Sequence, residues 1–124
     1  MIIAAAYVRV STDEQTDYSP AAQLADIKEY ATHNGYHIPE EFIFMDEGIS
    51  GKRADKRPAF QAMIRQARKK SNHIQYIIVH KFDRFARNKE DSVLYKALLK
   101  KDGVKVISVK EPIPQDDKFA VIYE

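Results

Sequence analysis

The sequence predicts an α/β fold, a mostly parallel four-stranded sheet flanked by helices on both faces. Four short apolar runs rich in Ile, Val, Phe and Tyr alternate with segments whose apolar residues recur at helical spacing. The helical segments are roughly 12 to 16 residues long, which suits crossovers between parallel strands. The 124 residues amount to one domain, read over residues 1–124. A domain of this size buries roughly two-thirds of the surface of its unfolded chain and needs no staples.

Ile2 to Val10 reads as a buried first strand. Ser19-Pro20 then supplies an N-cap and a proline at the first helical position, and Leu24, Ile27 and Ala31 follow at helical spacing until Asn34-Gly35 closes the helix. Glu41 to Met45 (EFIFM) is the second strand, and the charged, glycine-containing stretch from Asp46 to Arg57 is read as a mobile loop. Pro58 opens a second helix with Phe60, Met63, Ile64 and Ala67 as its buried stripe and a basic tail from Arg65 to Lys70. Gln75 to His80 (QYIIVH) is the third strand. A third helix starts at Asn88 or Lys89, turns Val93, Leu94, Ala97 and Leu98 inward, and stops at Gly103. Val104 to Val109 is the fourth strand. No internal repeat or low-complexity segment is visible.

Composition narrows the function classes. Hydrophobic residues at 44% and charged residues at 31% mark a globular chain rather than a disordered one. The absence of cysteine excludes disulfides, thiolate metal sites and thiol catalysis. No apolar run approaches the roughly 20 residues that span a bilayer, and Met1-Ile2-Ile3-Ala4 lacks the basic leader of a secretion signal. A cytoplasmic location is expected by elimination. The net charge is +2, but it is segregated: from Lys52 to Lys70 eight basic residues stand against one acid, Asp55, which leaves the remainder near −5. Such a stretch suits a polyanion, with Lys52, Arg53, Lys56, Arg65 and Arg68 as candidate phosphate contacts. The same residues also make an ordinary solvated helix face.

Right-handed crossovers bring the residues that follow each strand to one edge of the sheet. Ser11 follows the first strand, Asp46 to Ser50 the second and Asp83 to Arg87 the third, so these segments are predicted to converge. Arg9 and Ser11, two apart on an extended strand, address the same side. A serine hydroxyl is a weak nucleophile that needs help with its proton and with the charge on its target. Guanidinium groups supply that help for a phosphodiester, because their fixed donors pair with two phosphate oxygens at once. Arg9, Arg57, Arg84 and Arg87 are the candidates. Taken singly, Ser11 is an ordinary turn or cap serine, and Arg84 and Arg87 are surface partners of Asp83 or Glu90. Their joint occurrence after three successive strands favours a site.

Tyr7-Val8-Arg9-Val10-Ser11-Thr12, with Gln15 four residues beyond the serine, resembles the nucleophile motif of the serine site-specific recombinases, the resolvase and invertase family. Asp46-Glu47-Gly48-Ile49-Ser50-Gly51 with Arg57-Pro58-Ala59-Phe60 is similar to the second block of the large serine recombinase branch. Lys81 to Arg87 is similar to the third, and Ser19 to Leu24 to its helix start. The likeness runs from about Ile3 to Pro114 in one order. It implies a resolvase-like catalytic domain in which Ser11 attacks the scissile phosphate and holds the 5′ end as a phosphoserine. It further implies that Arg9, Arg57, Arg84 and Arg87 surround the phosphate, that Gln15, Gln23, Ser50 and Asp83 orient groups around them, and that Tyr7 sits beside the site. Rejoining uses a 3′ hydroxyl of a partner strand after subunit rotation, with no metal or nucleotide cofactor. Double-stranded DNA and self-association to dimer and tetramer in the full-length protein are the implied partners. The family follows its fourth strand with a dimerisation helix and DNA-binding domains. A sequence stopping at Glu124 is therefore expected to be a fragment with little recombination activity alone.

Two rival readings remain open. Asp46, Glu47 and Asp83 follow adjacent strands and suit a metal-dependent nuclease. The stretch from Lys52 to Lys70 suits a non-catalytic DNA-binding regulatory module. No metal is expected at His33 and His37, whose ligand-like spacing is interrupted by Asn34-Gly35, and His73 and His80 lie elsewhere in the sequence. Gly48-Ile49-Ser50-Gly51-Lys52 lacks the glycine spacing of a phosphate loop or nucleophile elbow.

Overall fold

The computed structural model of the protein describes residues 2–10, 19–47, 57–86 and 89–111. In chain order the elements are β1 (Ile2–Val10), α1 (Pro20–His33), β2 (Tyr36–His37), β3 (Ile43–Glu47), α2 (Pro58–Arg68), β4 (Ile74–Val79), α3 (Phe82–Phe85), α4 (Lys89–Lys101) and β5 (Lys105–Ser108). Short 3-10 turns occupy Glu40–Phe42 and Lys70–Asn72. The four predicted strands are present. A fifth, β2, is a two-residue strand between Gly35 and Pro39, too short to show a period in sequence.

Among the described residues all strand pairings are parallel. β1 lies at its centre, with β4 on one side and β5 beyond it. On its other side β1 pairs first with β2, at Ile2 and Ile3, and then with β3 from Ala6 to Val10. The chain thus leaves β1 toward one side and returns on the other, which makes the gap between β1 and β4 a topological switch point. In open α/β sheets, ligands bind outside the carboxyl ends of the strands at such a point.

Alternation along β1 divides the core. Ala5 and Tyr7 meet Phe60, Met63, Ile64 and Ala67 of α2, Leu99 of α4 and Phe85 of α3. Ala4, Ala6 and Val8 meet Ile27 and Ala31 of α1. The run Ala4-Ala5-Ala6 leaves both helical layers close to the central strand. Ser19 Oγ accepts from Ala22 N at 3.1 Å to cap α1, with Pro20 at the first helical position. Gly35 and Gly103 end α1 and α4 at φ of 76° and 77°, a conformation that costs glycine little.

The inward face of α4 differs from the expectation. Val93 and Leu94 are 62% and 58% exposed, Ala97 is exposed and Leu98 is half-buried. The helix instead docks through Leu99, fully buried, and Tyr95, whose ring meets Phe60 edge-on at 5.0 Å. Apolar residues occupy six of the seven positions from Val93 to Leu99, so periodicity selects no single face. The aromatic contact with Phe60 decides the rotation.

Candidate active site

Four elements bring polar side chains to the carboxyl ends of β1 and β4. By the alternation that buries Tyr7 against Phe60, Arg9 at the end of β1 lies on the same side of the strand. Its Nη2 donates to Asp83 O at 2.8 Å. Arg57 immediately precedes α2, and its Nη1 donates to Phe85 O at 2.8 Å. Arg84 lies between those two carbonyls on α3, with Nε 3.6 Å from Asp83 Oδ1. A single turn of helix therefore seats three guanidinium groups. Arg9, Arg57 and Arg84 are 2%, 3% and 8% exposed.

Arg57 is held by rings as well as by a hydrogen bond. Its guanidinium carbon stands 3.9 Å from the centroid of Phe60 and 6.0 Å from that of Tyr7, and a cation over an aromatic face is attracted to the ring's negative quadrupole. Phe60 meets Tyr7 and Phe85 edge-on at 5.4 and 5.3 Å, so three aromatic rings form one floor.

Asp46 organises this corner. Pro58 starts α2, and Arg57, at the cap position, makes no side-chain cap. The cap comes from β3 instead: Asp46 Oδ1 accepts from Ala59 N and Oδ2 from Phe60 N, both at 3.0 Å. Oδ2 also accepts from Tyr7 OH at 2.7 Å. One buried carboxylate thus ties β3, the start of α2 and β1 together. Burial pushes the Tyr7 phenol well above its ordinary range; the charge of Arg57 opposes that shift and the bond to Asp46 adds to it. The phenol is a neutral donor throughout the working pH range. Behind β1, Gln23 of α1 is fully buried and its Nε2 donates to Arg9 O at 3.3 Å.

The structure therefore brings together Tyr7, Arg9, Gln23, Arg57, Asp83 and Arg84. Ser11, Gln15, Ser50, Lys52, Arg53, Lys56 and Arg87 lie outside the described residues. Arg65 and Arg68 are exposed in the last turn of α2, the end of an 11-residue helix remote from Arg57, about 16 Å in length. Arg68 Nε is 2.9 Å from Asp102 Oδ2. Asp46, offered above as a possible metal ligand, accepts at Oδ1 from Ala59 N and at Oδ2 from Tyr7 OH and Phe60 N, and the Glu47 side chain of that reading lies outside the described residues. Among the described residues no group of three or more His, Asp or Glu is placed to hold a metal ion, and no helix is long and apolar enough to cross a membrane. The organising role of Asp46 was missed in the sequence. Its signal was a proline-started helix preceded by arginine, a residue that cannot cap.

Three largely desolvated guanidiniums are thus gathered at a switch point of the sheet. A family model described as the resolvase N-terminal domain matches residues 4–123. The chain belongs to the resolvase family. A resolvase family site-specific recombinase from Streptococcus pneumoniae is 31% identical with a TM-score of 0.80, over 99% of this chain and 82% of that one. The N-terminal catalytic domain of TP901-1 integrase is 27% identical with a TM-score of 0.77, over 98% and 87%. The C-terminal catalytic domain of ISC1926 TnpA, an IS607-like serine recombinase, shares the fold at 24% identity and a TM-score of 0.72, over 98% and 77%. No curated protein matches. Resolvase-family membership accounts for the α/β sheet and for the order of the blocks along the chain.

Proposed function

We propose that this resolvase-family domain carries out site-specific DNA recombination, with Ser11 as the nucleophile. The observation that carries this reading is the seating of Arg9, Arg57 and Arg84 around α3, at the carboxyl end of the strand whose next residue is Ser11. A scissile phosphodiester meets the guanidiniums, which stabilise the charge accumulating on its oxygens during displacement. Ser11 Oγ attacks the phosphorus, the bond to the 3′ oxygen breaks, and the 5′ phosphate stays on the serine while the 3′ hydroxyl leaves with a proton. Attack by a 3′ hydroxyl of a partner strand reverses the step and returns the proton to Ser11.

Bond energy is conserved in the phosphoserine, so the chemistry needs neither metal nor nucleotide. Asp83 orients Arg84, Gln23 supports the end of β1, and Arg87, Gln15 and Ser50 complete the surroundings of the phosphate. Lys52, Arg53 and Lys56 contact the DNA backbone, and Arg65 and Arg68, at the far end of α2, meet phosphates more distant from Arg57. The partners are double-stranded DNA and further copies of the full-length protein, acting in the cytoplasm.

The test is a suicide substrate carrying the protein's attachment site, incubated with full-length protein in the presence of a chelator. The expected result is a covalent protein–DNA adduct, mapped to Ser11 by mass spectrometry and lost in Ser11→Ala. Cleavage that stops with chelator and leaves no adduct overturns the reading.

A further inference from the structure

On the α1 side of β4, away from the arginine cluster, a second polar group is buried. His80, the residue after β4, is 1% exposed, and its Nε2 lies 3.0 Å from Asp26 Oδ2 on α1. Lys110 Nζ stands 3.8 Å from the same oxygen. On α1 the apolar residues Leu24, Ile27 and Ala31 pack against the sheet beside the polar Gln23 and Asp26. A buried imidazole bonded to a part-exposed carboxylate is a poor stability device, because desolvation of the imidazole offsets much of the attraction. What such a pair does supply is register.

The neighbours of His80 show what that register governs. Asp26 and Gln23 are three residues apart on α1, so they stand side by side on one stripe of the helix. Gln23 holds the end of β1 through Arg9 O, while Asp26 holds the end of β4 through His80. One helix turn thus spans the two strand ends that flank the switch point. From the other side, His80 O accepts from Lys110 N at 3.1 Å, and Phe82 N donates to Glu111 Oε1 at 2.6 Å. Two residues beyond His80 begins α3, whose carbonyls at Asp83 and Phe85 receive Arg9 and Arg57.

We infer that His80 and Asp26 are positioning residues for strand cleavage: the pair fixes the exit of β4 on α1, and through it the helical turn that seats the guanidiniums. The inference rests on the recombinase function proposed above. A misplacement of about 1 Å remote from the chemistry costs up to about 10²-fold in rate, so the pair acts on the reaction step and leaves DNA affinity alone.

The experiment compares full-length wild type with Asp26→Ala, His80→Phe, the double variant, and the conservative Asp26→Asn and His80→Gln. Single-turnover cleavage of the suicide substrate and DNA affinity are measured for each. Asp26→Ala and His80→Phe are expected to slow cleavage at saturating DNA by about 10-fold or more with affinity unchanged. The double variant is expected to be no worse than either single change. The conservative variants, which keep a donor or acceptor in place, recover most of the rate. If His80→Phe fails to fold, Asp26→Ala carries the test, because Asp26 is one-third exposed and alanine is the best helix former. Wild-type cleavage in folded Asp26→Ala, or conservative variants as slow as the alanine, overturns the inference. An adduct at Ser11 in the wild type alongside either result keeps the proposed function standing, whereas its absence in the wild type removes both.

Discussion

The two ends of α2 carry arginines in opposite circumstances. At its start, Arg57 is buried, bonded to a backbone carbonyl and laid on the Phe60 ring. At its end, Arg68 is half in solvent and faces Asp102. An exposed ion pair of the second kind contributes roughly 0.2–1 kcal/mol and is screened by salt. A buried cation seated on dipoles and rings, as at the first end, is held in a medium where charge interactions are much stronger than in water. Around one helix, then, burial separates an arginine built into the interior from one that lies on the surface, and the proposed function gives the first the phosphate and the second only more distant contacts.

Substitution at the two ends tests this contrast most sharply. Arg57→Ala is expected to lower the suicide-substrate cleavage rate by about 10²–10³, the usual effect of losing one preorganised donor. Arg68→Ala should leave that rate within a few-fold and shift stability by no more than about 1 kcal/mol. Equal losses at both ends would break the comparison and place the working surface along the whole helix.

A smaller effect concerns what holds the buried end. Asp46→Ala leaves Ala59 N, Phe60 N and Tyr7 OH without their acceptor. It is expected to cost about 2 kcal/mol or more in a denaturant titration, the combined scale of a lost helix cap and unsatisfied buried donors. A near-neutral result would show that α2 is positioned by apolar packing through Phe60 and Met63 alone.

The smallest expected effect is a pH dependence. The Tyr7 phenol holds its proton more tightly when folded than at its ordinary value of 10.0. Its contribution to stability is therefore fully present below pH about 10 and declines as pH rises further, because the unfolded chain ionises first. Tyr7→Phe lacks that proton, so its stability should fall less steeply above pH 10 than the wild type's. Parallel alkaline slopes for the two proteins would count against a buried, neutral phenol.

Much of this was legible in the sequence. Helix ends were announced by Ser19-Pro20, Pro58, Gly35 and Gly103, whose conformational limits act locally. Strands were announced by apolar runs, and their order along the chain implied that Arg9, Arg57 and Arg84 would meet. The rotation of α4 was not legible, because Val93 to Leu99 is apolar nearly all round and a contact with Phe60 made the choice. Nor was the role of Asp46, because nothing within a few residues of it shows that the open start of α2 would arrive beside it.

The chain by itself determined which segments are helix or strand and which side chains can carry charge to the strand ends, since capping, backbone restriction and periodicity operate within a few residues. Tertiary structure alone decided that a carboxylate on β3 would cap a helix 12 residues later in sequence. It alone placed a histidine after β4 against an aspartate on α1, and made one short turn the seat of three arginines. Those outcomes depend on which donors and acceptors are buried together, and burial is a property of the assembled layers.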